Sequence, residues 1–321
     1  MSRPAALPPA GVVRFYRYDS GANSFRDEVI AGLASAPKFI PARYRCDDEA
    51  HEGVAASISG DDAEHVLLRA HAGEIAALLG PETELIGFHA GASTRTRVLL
   101  GTARPSLYIP VDLCEPRLRS SVEALTADFP ELNICALVAD CARPIALPDF
   151  IGVPVRRRVV YCPAAVAGEF APEAARSFLE LTRELLQPGG ILLVGVGTKR
   201  EPRLADNDGQ RRVEDESDRR LLDRINRELG GDFRVDRFRR EARYDAERGC
   251  IEIRLKSVEA QTVRIGGQSF DFGAGEALMV NAFRQYGIDE FRTLAVAAGF
   301  HPLEAWSAPE APLAMHALLA T

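Results

Sequence analysis

Apolar strand patterns and amphipathic helix patterns alternate between about residue 65 and residue 195. The predicted strands are residues 85–88, 107–113, 133–140, 157–162 and 191–197, and the predicted helices are residues 63–79, 95–100, 116–126 and 172–186. This alternation is typical of a parallel sheet covered by helices on both faces. The sequence therefore predicts a doubly wound α/β core.

The pattern changes after Gly197. A highly charged stretch, residues 199–220, is expected to be a loop leading into a helix at residues 221–229. Three alternating segments predict antiparallel strands at residues 237–245, 251–257 and 261–267, before a helix at 289–298 and a final strand at 314–320. We expect a seven-stranded, mostly parallel sheet with one antiparallel strand.

These elements predict a core carrying an inserted cap. The core comprises residues 80–199 and 285–321, and residues 200–284 form an inserted α+β substrate or cap domain. Residues 1–79 form an N-terminal helical segment that contributes to the cap.

Composition narrows the possible partners and compartment. The 321 residues carry a formal net charge of −7, so the basic excess that binds phosphate backbones is missing and no nucleic-acid partner is expected. The sequence has no membrane-spanning apolar run, and prolines interrupt the N-terminus where a signal peptide would have its apolar core. Six cysteines without a CxxC pair suggest free thiols. We expect a cytoplasmic protein with no membrane partner.

Candidate binding residues lie where the predicted strands end. In an open α/β sheet, ligands bind at the carboxyl ends of the strands, near the first strand. Gly87 and Gly91 in IGFHAG permit a tight turn close to a ligand, and Asp112 and Asp140 end the second and third strands. These acids suit ribose hydroxyls and an adenine amino group, although each could also cap a helix or close a turn.

Segments spread along the chain resemble the histidine-specific N-methyltransferases of ergothioneine biosynthesis. The resemblance is carried by GLASAPKFIPARY, YIPVD, LLQPGG, INREL followed by GGDF, IEIRL and DFGAGE. It implies a class I methyltransferase fold, a Rossmann-like sheet with an inserted α+β cap, that uses S-adenosylmethionine as cofactor.

The resemblance also assigns a cofactor set. Where the family reads roughly VELGSG, this chain reads IGFHAG, so Gly87 stands for an acid, His89 for the first glycine of the turn, and Gly91 matches. Asp112 and Asp140 match the ribose and adenine acids. The expected cofactor-binding residues are these five.

The substrate motifs depart further from the family. Glu169 falls at or next to the Asn that holds the amino group of the substrate, and Asn281 and Phe283 replace the Glu and Ser that hold the imidazole. Asn207 stands where a Tyr frames the histidine, and SISGDDA replaces an aromatic stretch. We therefore expect methylation of an amino acid or related small-molecule amine other than histidine.

Two alternatives remain open at the level of sequence. The departures also suit a catalytically inactive protein that kept the fold and acts as a partner or regulatory subunit. Separately, His89, Cys114, Cys141 and Cys162 lie at the ends of four predicted strands, where they could hold zinc or an iron–sulfur cluster, although small buried thiols are common in cores.

Overall fold

A computed structural model describes residues 11–18, 24–45, 61–89, 93–148, 153–170, 172–199, 208–307 and 313–321. The core strands are β1 (Val13–Arg17), β2 (Thr83–Phe88), β3 (Leu107–Asp112), β4 (Asn133–Val138), β5 (Arg157–Cys162) and β6 (Ile191–Thr198). The strands of the second half are β7 (Phe238–Asp245), β8 (Cys250–Ser257), β9 (Gln261–Ile265), β10 (Gln268–Phe272), β11 (Ala277–Tyr286), β12 (Phe300–Ser307) and β13 (Leu313–Ala320).

The helices alternate with these strands. They are α1 (Ser24–Ala34), α2 (Asp61–Ala70), α3 (Ala72–Leu79), α4 (Thr94–Ala103), α5 (Glu115–Asp128), α6 (Ala164–Ala167), α7 (Pro172–Leu186), α8 (Asp208–Leu229) and α9 (Ile288–Ala297). Short 3₁₀ turns lie at Ala42–Tyr44 and Val235–Arg237.

The core sheet has the order β1-β4-β3-β2-β5-β6-β13-β12. Strands β1 to β6 pair in parallel, and β13 is antiparallel to both of its neighbours, β6 and β12. The predicted α/β class is confirmed, with seven mostly parallel strands and one antiparallel strand among them. Strand β1 adds an eighth at the edge, so the N-terminal segment is not purely helical as expected.

Each face of the core sheet buries its own hydrophobic cluster. In β4, Ile134 and Ala136 pack on the face covered by α2 to α5, whereas Cys135 and Leu137 pack on the face covered by α7 and α9. This alternation follows from the two-residue period of a strand. Burial on both faces explains why the core strands read as continuous apolar runs.

The cap is a smaller α+β unit with a third cluster. Strands β7, β8 and β11 pair antiparallel, β9 and β10 form a hairpin, and α1 and α8 contribute side chains such as Val29 and Leu222 to the same cluster. Strand β11 then pairs in parallel with β6 through Gln285 and Tyr286. Because β11 is continuous from cap to core, it crosses the predicted boundary at residues 284 and 285.

Two predicted elements differ from the structure. The helix expected at residues 63–79 is divided into α2 and α3 at His71, which leaves helical geometry. The charged stretch expected as a loop is helical from Asp208 onward, because α8 continues without interruption into the buried Leu221 and Leu222. Its many arginines and glutamates are themselves good helix formers.

The N-terminal segment joins cap and core. The Ile40 N–H donates to the Met279 carbonyl of β11 at 2.9 Å, and the Met279 N–H donates to the Lys38 carbonyl at 3.0 Å. Residues after α1 therefore pair with the cap strand that leads into the core.

A buried carboxylate anchors α2 at the carboxyl ends of the core strands. Glu64 is fully buried and accepts hydrogen bonds from the Tyr161 hydroxyl at 3.1 Å and the Ala164 N–H at 3.3 Å. Gly195 of β6 leaves the room for it, since a Cβ there would lie 2.5 Å from Glu64 Oε1. The position requires glycine because of this close approach.

Within the described part of the chain, every helix is too short or too polar to cross a membrane.

Candidate functional site

A cavity of about 310 Å³ lies between the carboxyl ends of the core strands and the cap. Its core side includes His89, Asp140, Cys141 and Ala142, and its cap side includes Met279, Asn281 and Ala282. Residues 39–43 form a third wall, and Val166, Glu169, Phe170 and Ala174 form the fourth. The cavity thus brings together four of the expected cofactor- and substrate-binding residues, His89, Asp140, Glu169 and Asn281.

His89 forms the turn that follows β2. Its φ of 45° is in the left-handed region, which a side chain adopts at some cost and which glycine adopts freely. Burial lowers the pKa of the imidazole, Arg117 lowers it further, and the carboxylates of Asp112 and Asp140 oppose the shift. The ring is therefore neutral near pH 7.

The other two residues expected at this turn are Gly87 and Gly91. Gly87 lies inside β2, where it pairs with Pro110 and Tyr161, and it does not line the cavity. Gly91 lies outside the described residues. Beyond the turn, Ser93 caps α4 by accepting a hydrogen bond from the Thr96 N–H at 3.2 Å.

Asp112 ends β3 and is almost completely buried. Its Oδ2 accepts from Arg117 Nε at 2.9 Å, and its Oδ1 accepts from Arg117 Nη2 and from the Cys114 N–H, both at 2.8 Å. Burial acts to raise the pKa of Asp112, but Arg117, His89 and these hydrogen bonds hold it below its ordinary value. Asp112 is not among the residues that line the cavity, and Arg117 engages both of its oxygens.

Asp140 follows β4 and faces the cavity. Its Oδ1 accepts from the Ala142 N–H at 2.9 Å, and its Oδ2 lies 3.2 Å from Arg43 Nε and 3.6 Å from Arg143 Nε. Both arginines also pair with Glu28 of α1. This network ties the N-terminal segment to the end of β4.

The same network affects Arg43. Burial acts to lower the pKa of its guanidinium, but Asp140 and Glu28 outweigh burial and raise it. Arg43 is therefore a permanent cation on the cavity wall.

Glu169 lies just after the short helix α6 and lines the cavity. The backbone places it there, because the Arg284 N–H of β11 donates to the Gly168 carbonyl at 2.8 Å. Burial raises the pKa of Glu169 to about 7, against the opposing effect of Arg45, Arg43 and Arg117.

Asn281 and Phe283 have different surroundings although both belong to β11. Asn281 lines the cavity at an irregularity in the β11–β8 pairing, and its Oδ1 accepts from the Ala282 N–H at 2.7 Å. Phe283 is buried in the hydrophobic cluster of the cap and does not line the cavity. A packing role therefore accounts for Phe283. Asn207 lies outside the described residues.

The geometry does not support the metal hypothesis. Cys114 is disulfide-bonded, so the expectation of free thiols holds for Cys135, Cys141, Cys162 and Cys250 and is wrong for Cys114. No group of three or more His, Cys, Asp or Glu side chains within the described ranges could hold a metal ion. Burial also raises the pKa values of Cys141 and Cys162, which disfavours the thiolates that zinc binds.

Several site residues are absent from the sequence-based set. Arg43 and Arg117 pair with the two expected acids, and Phe39, Phe170 and Met279 give the cavity apolar walls. Nothing in the local pattern distinguishes Arg43 from the many exposed arginines. Only Arg117 carries a signal, because it lies on the helix that begins directly after Asp112.

Comparisons with known proteins agree with this architecture. The family model described as "Histidine-specific methyltransferase, SAM-dependent" matches residues 25–320. The curated Histidine N-alpha-methyltransferases of Mycolicibacterium smegmatis and Mycobacterium tuberculosis are similar to this chain, with 29% and 28% identity. The alignments cover 91% and 90% of this chain, and 93% and 92% of those proteins.

Solved structures are similar in fold. The CcbJ methyltransferase of Streptomyces caelestis has a TM-score of 0.51 at 15% identity, with 87% of this chain and 98% of that chain covered. The PH0226 protein of Pyrococcus horikoshii OT3 has a TM-score of 0.50 at 14% identity, with 86% and 100% covered. At these identities the likeness concerns the fold alone.

The residues at the strand ends fit the cofactor of this family. Two carboxylates, Asp112 and Asp140, follow successive parallel strands next to the turn at His89 and the N-terminus of α4, and carboxylates accept hydrogen bonds from hydroxyl and amino groups. When bound, S-adenosylmethionine supplies a methyl group on a sulfonium. The family model matches nearly the whole chain and the core has the expected sheet, so the chain belongs to the histidine-specific, S-adenosylmethionine-dependent methyltransferase family.

Proposed function

We propose that this protein transfers a methyl group from S-adenosylmethionine to the amino group of an amino acid or related small-molecule amine whose side chain is apolar. One observation carries the proposal: a single cavity joins the cofactor edge at Asp140 to the carboxylate of Glu169 and the amide of Asn281. Methyl transfer requires mainly that the nucleophile be aligned and desolvated, which such a cavity can do.

Charged and polar groups on the cavity walls suit an amino acid. Glu169 offers an acceptor for an amino group. Asn281 Oδ1 already accepts from the Ala282 N–H, so its amide nitrogen remains to donate to a carboxylate oxygen. The positive charge of Arg43, which lines the same cavity, also favours a carboxylate.

The cavity walls between these groups favour an apolar side chain on the substrate. Phe39, Val166, Phe170 and Met279 are apolar, and Phe283, at the position where the family has a hydroxyl, packs in the cap instead. An imidazole would find few hydrogen-bond partners on such walls, so its desolvation would be uncompensated. Histidine, after which the curated relatives are named, is accordingly the reference substrate for the test.

The test is a methyl-transfer assay with radiolabelled S-adenosylmethionine and a panel of amino acids and amines. We expect transfer to leucine-like or phenylalanine-like substrates to exceed transfer to histidine in kcat/KM. Preference for histidine would overturn the proposed side-chain class but leave N-methylation standing. Absence of transfer to any member of the panel would overturn the activity itself.

A second candidate is favoured by a different observation. Arg117 engages both oxygens of Asp112, and Arg43 pairs with Asp140, so both expected cofactor acids already have cationic partners. A family member that keeps the fold but has lost methyl transfer would show this arrangement. Calorimetric titration with S-adenosylhomocysteine decides, because only this candidate predicts no binding.

A further inference from the structure

The Glu169 carboxylate has no polar partner among the residues that the structure describes. It accepts no hydrogen bond and forms no ion pair there, although it lines a cavity that contains Arg43 on another wall. Other acids near the cavity are engaged, since Asp140 is paired with two arginines and Asp112 with one. A partly buried carboxylate without a partner is a cost to stability that a bound cationic group would offset.

Transfer of a methyl group to an amine requires a free lone pair on nitrogen. Near neutral pH an aliphatic amine is an ammonium ion, which has no lone pair and cannot act as a nucleophile. A group in the site must therefore accept one proton before the transfer. The best acceptor has a pKa near the working pH.

We infer that Glu169 is the proton acceptor that converts the ammonium group of the substrate into the free amine. This inference rests on the proposed function. One N–H proton passes to the Glu169 carboxylate, and the lone pair released on nitrogen forms the new bond to the methyl carbon. The carbon–sulfur bond breaks and its electron pair stays on sulfur, while the protonated Glu169 returns its proton to water.

The surroundings of Glu169 explain why it and not a neighbour takes this role. Burial raises its pKa to about 7, so the carboxylate is available near neutral pH yet basic enough to accept a proton. The charged and titratable groups that act on it are Arg43 and Arg45 of the N-terminal segment, Arg117 of α5, Asp140 and Cys141 after β4, and Cys162 at the end of β5. The cations prevent its pKa from rising further.

The other titratable groups on the cavity wall are less suitable. Asp140 already forms ion pairs with Arg43 and Arg143. Burial raises the pKa of the Cys141 thiol, so it stays protonated. His89 is neutral, but it lies in the turn after β2, beside Asp112 and Arg117 and at the cofactor edge. His89 is therefore the competitor that the experiment must exclude.

The experiment compares Glu169→Gln with the wild-type protein, with Glu173→Gln as matched control. Glu173 is an exposed acid in the first turn of α7, only four residues away, so its change tests the general effect of losing a negative charge. For the substrate identified in the panel, kcat and KM are measured across pH. His89→Gln is measured in parallel.

We expect Glu169→Gln to lower kcat by roughly 100-fold or more, the usual effect of losing a positioned base, with a smaller change in KM. The wild-type kcat should rise through a pH of about 7 and level off, because the carboxylate is then the dominant form. In Glu169→Gln the rate should keep rising with pH as solution supplies free amine. Glu173→Gln should match the wild type.

A rise in KM at unchanged kcat would overturn the inference, because Glu169 would then only bind the amine. Loss of kcat in His89→Gln with a near-normal Glu169→Gln would overturn it in favour of His89. A second measurement needs no activity: difference infrared spectra of wild type and Glu169→Gln give the carboxyl pKa in the free protein. Titration in the ordinary range of a glutamate would overturn the inference, whereas an inactive wild type overturns the proposed function.

Discussion

Replacing Arg117 with methionine tests the buried ion pair at the end of β3. Arg117 donates two hydrogen bonds to Asp112, and the two side chains are 8% and 1% exposed. Methionine keeps much of the apolar stem but leaves a buried carboxylate whose remaining hydrogen bond comes from the Cys114 N–H. Removing one partner of such a pair costs about 3–5 kcal/mol, so we expect a loss of that size in the free energy of unfolding.

The same helix provides a matched control. Arg119 pairs with Glu115, one turn away, but Arg119 is 54% exposed, so solvent screens the interaction. Exposed pairs contribute roughly 0.2–1 kcal/mol, and Arg119→Met should lose no more than that. Urea unfolding followed through the fluorescence of Trp306, the one tryptophan of the chain, measures both variants.

The pH dependence of this loss has a definite sign. In the wild type the pKa of Asp112 lies below its unfolded value, so the pair stabilises the fold at neutral pH and loses its effect as acid protonates the carboxylate. In Arg117→Met, burial loses its largest opposing effect, so we expect the pKa of Asp112 to rise. The difference between wild type and variant should therefore shrink as pH falls. Equal losses for Arg117→Met and Arg119→Met, or a difference that grows in acid, would refute the reasoning.

Three further substitutions probe the turn, the sheet and the buried imidazole. Gly195→Ala should destabilise the fold, because its Cβ would lie 2.9 Å from a backbone nitrogen and closer still to a buried carboxylate. Gly101→Ala, on a helix, meets nothing within 4 Å and should stabilise the fold by up to ~1 kcal/mol. Thermal unfolding measures both variants. Burial lowers the pKa of His316 to about 4, so the fold loses unfolding free energy as pH falls below 6.5, by about 3 kcal/mol near pH 4. His316→Leu should therefore flatten the pH dependence of the melting temperature, whereas the exposed His301→Leu should not. Parallel curves for His316→Leu and wild type would contradict this. His89→Gly should remove a left-handed side chain from the cavity wall and tighten S-adenosylmethionine binding by about 5- to 150-fold, equivalent to ~1–3 kcal/mol. Unchanged affinity in calorimetry would place the cofactor elsewhere.

The sequence by itself determined the core architecture and the strand-end placement of the acids. Short apolar runs such as NICALV at residues 133–138 are suited to burial on both faces, so strand identity and the parallel class follow from their length and their alternation with amphipathic helices. Asp112 and Asp140 come directly after or close behind such runs, which places them at one edge of a parallel sheet. The resemblance carried by dispersed segments agreed with the family model over residues 25–320.

Only the tertiary structure decided which charges meet. Arg43 reaches Asp140 from nearly 100 residues away in sequence, and Arg117 turns inward while Arg119 on the same helix turns to solvent. The tertiary structure also decided the surroundings of Glu169, because its sequence position is equally consistent with an exposed loop. A polar side chain reads alike in sequence whether water or protein surrounds it, because its partners come from distant elements. Burial and pairing, which set the chemistry of this site, are properties of the assembled fold.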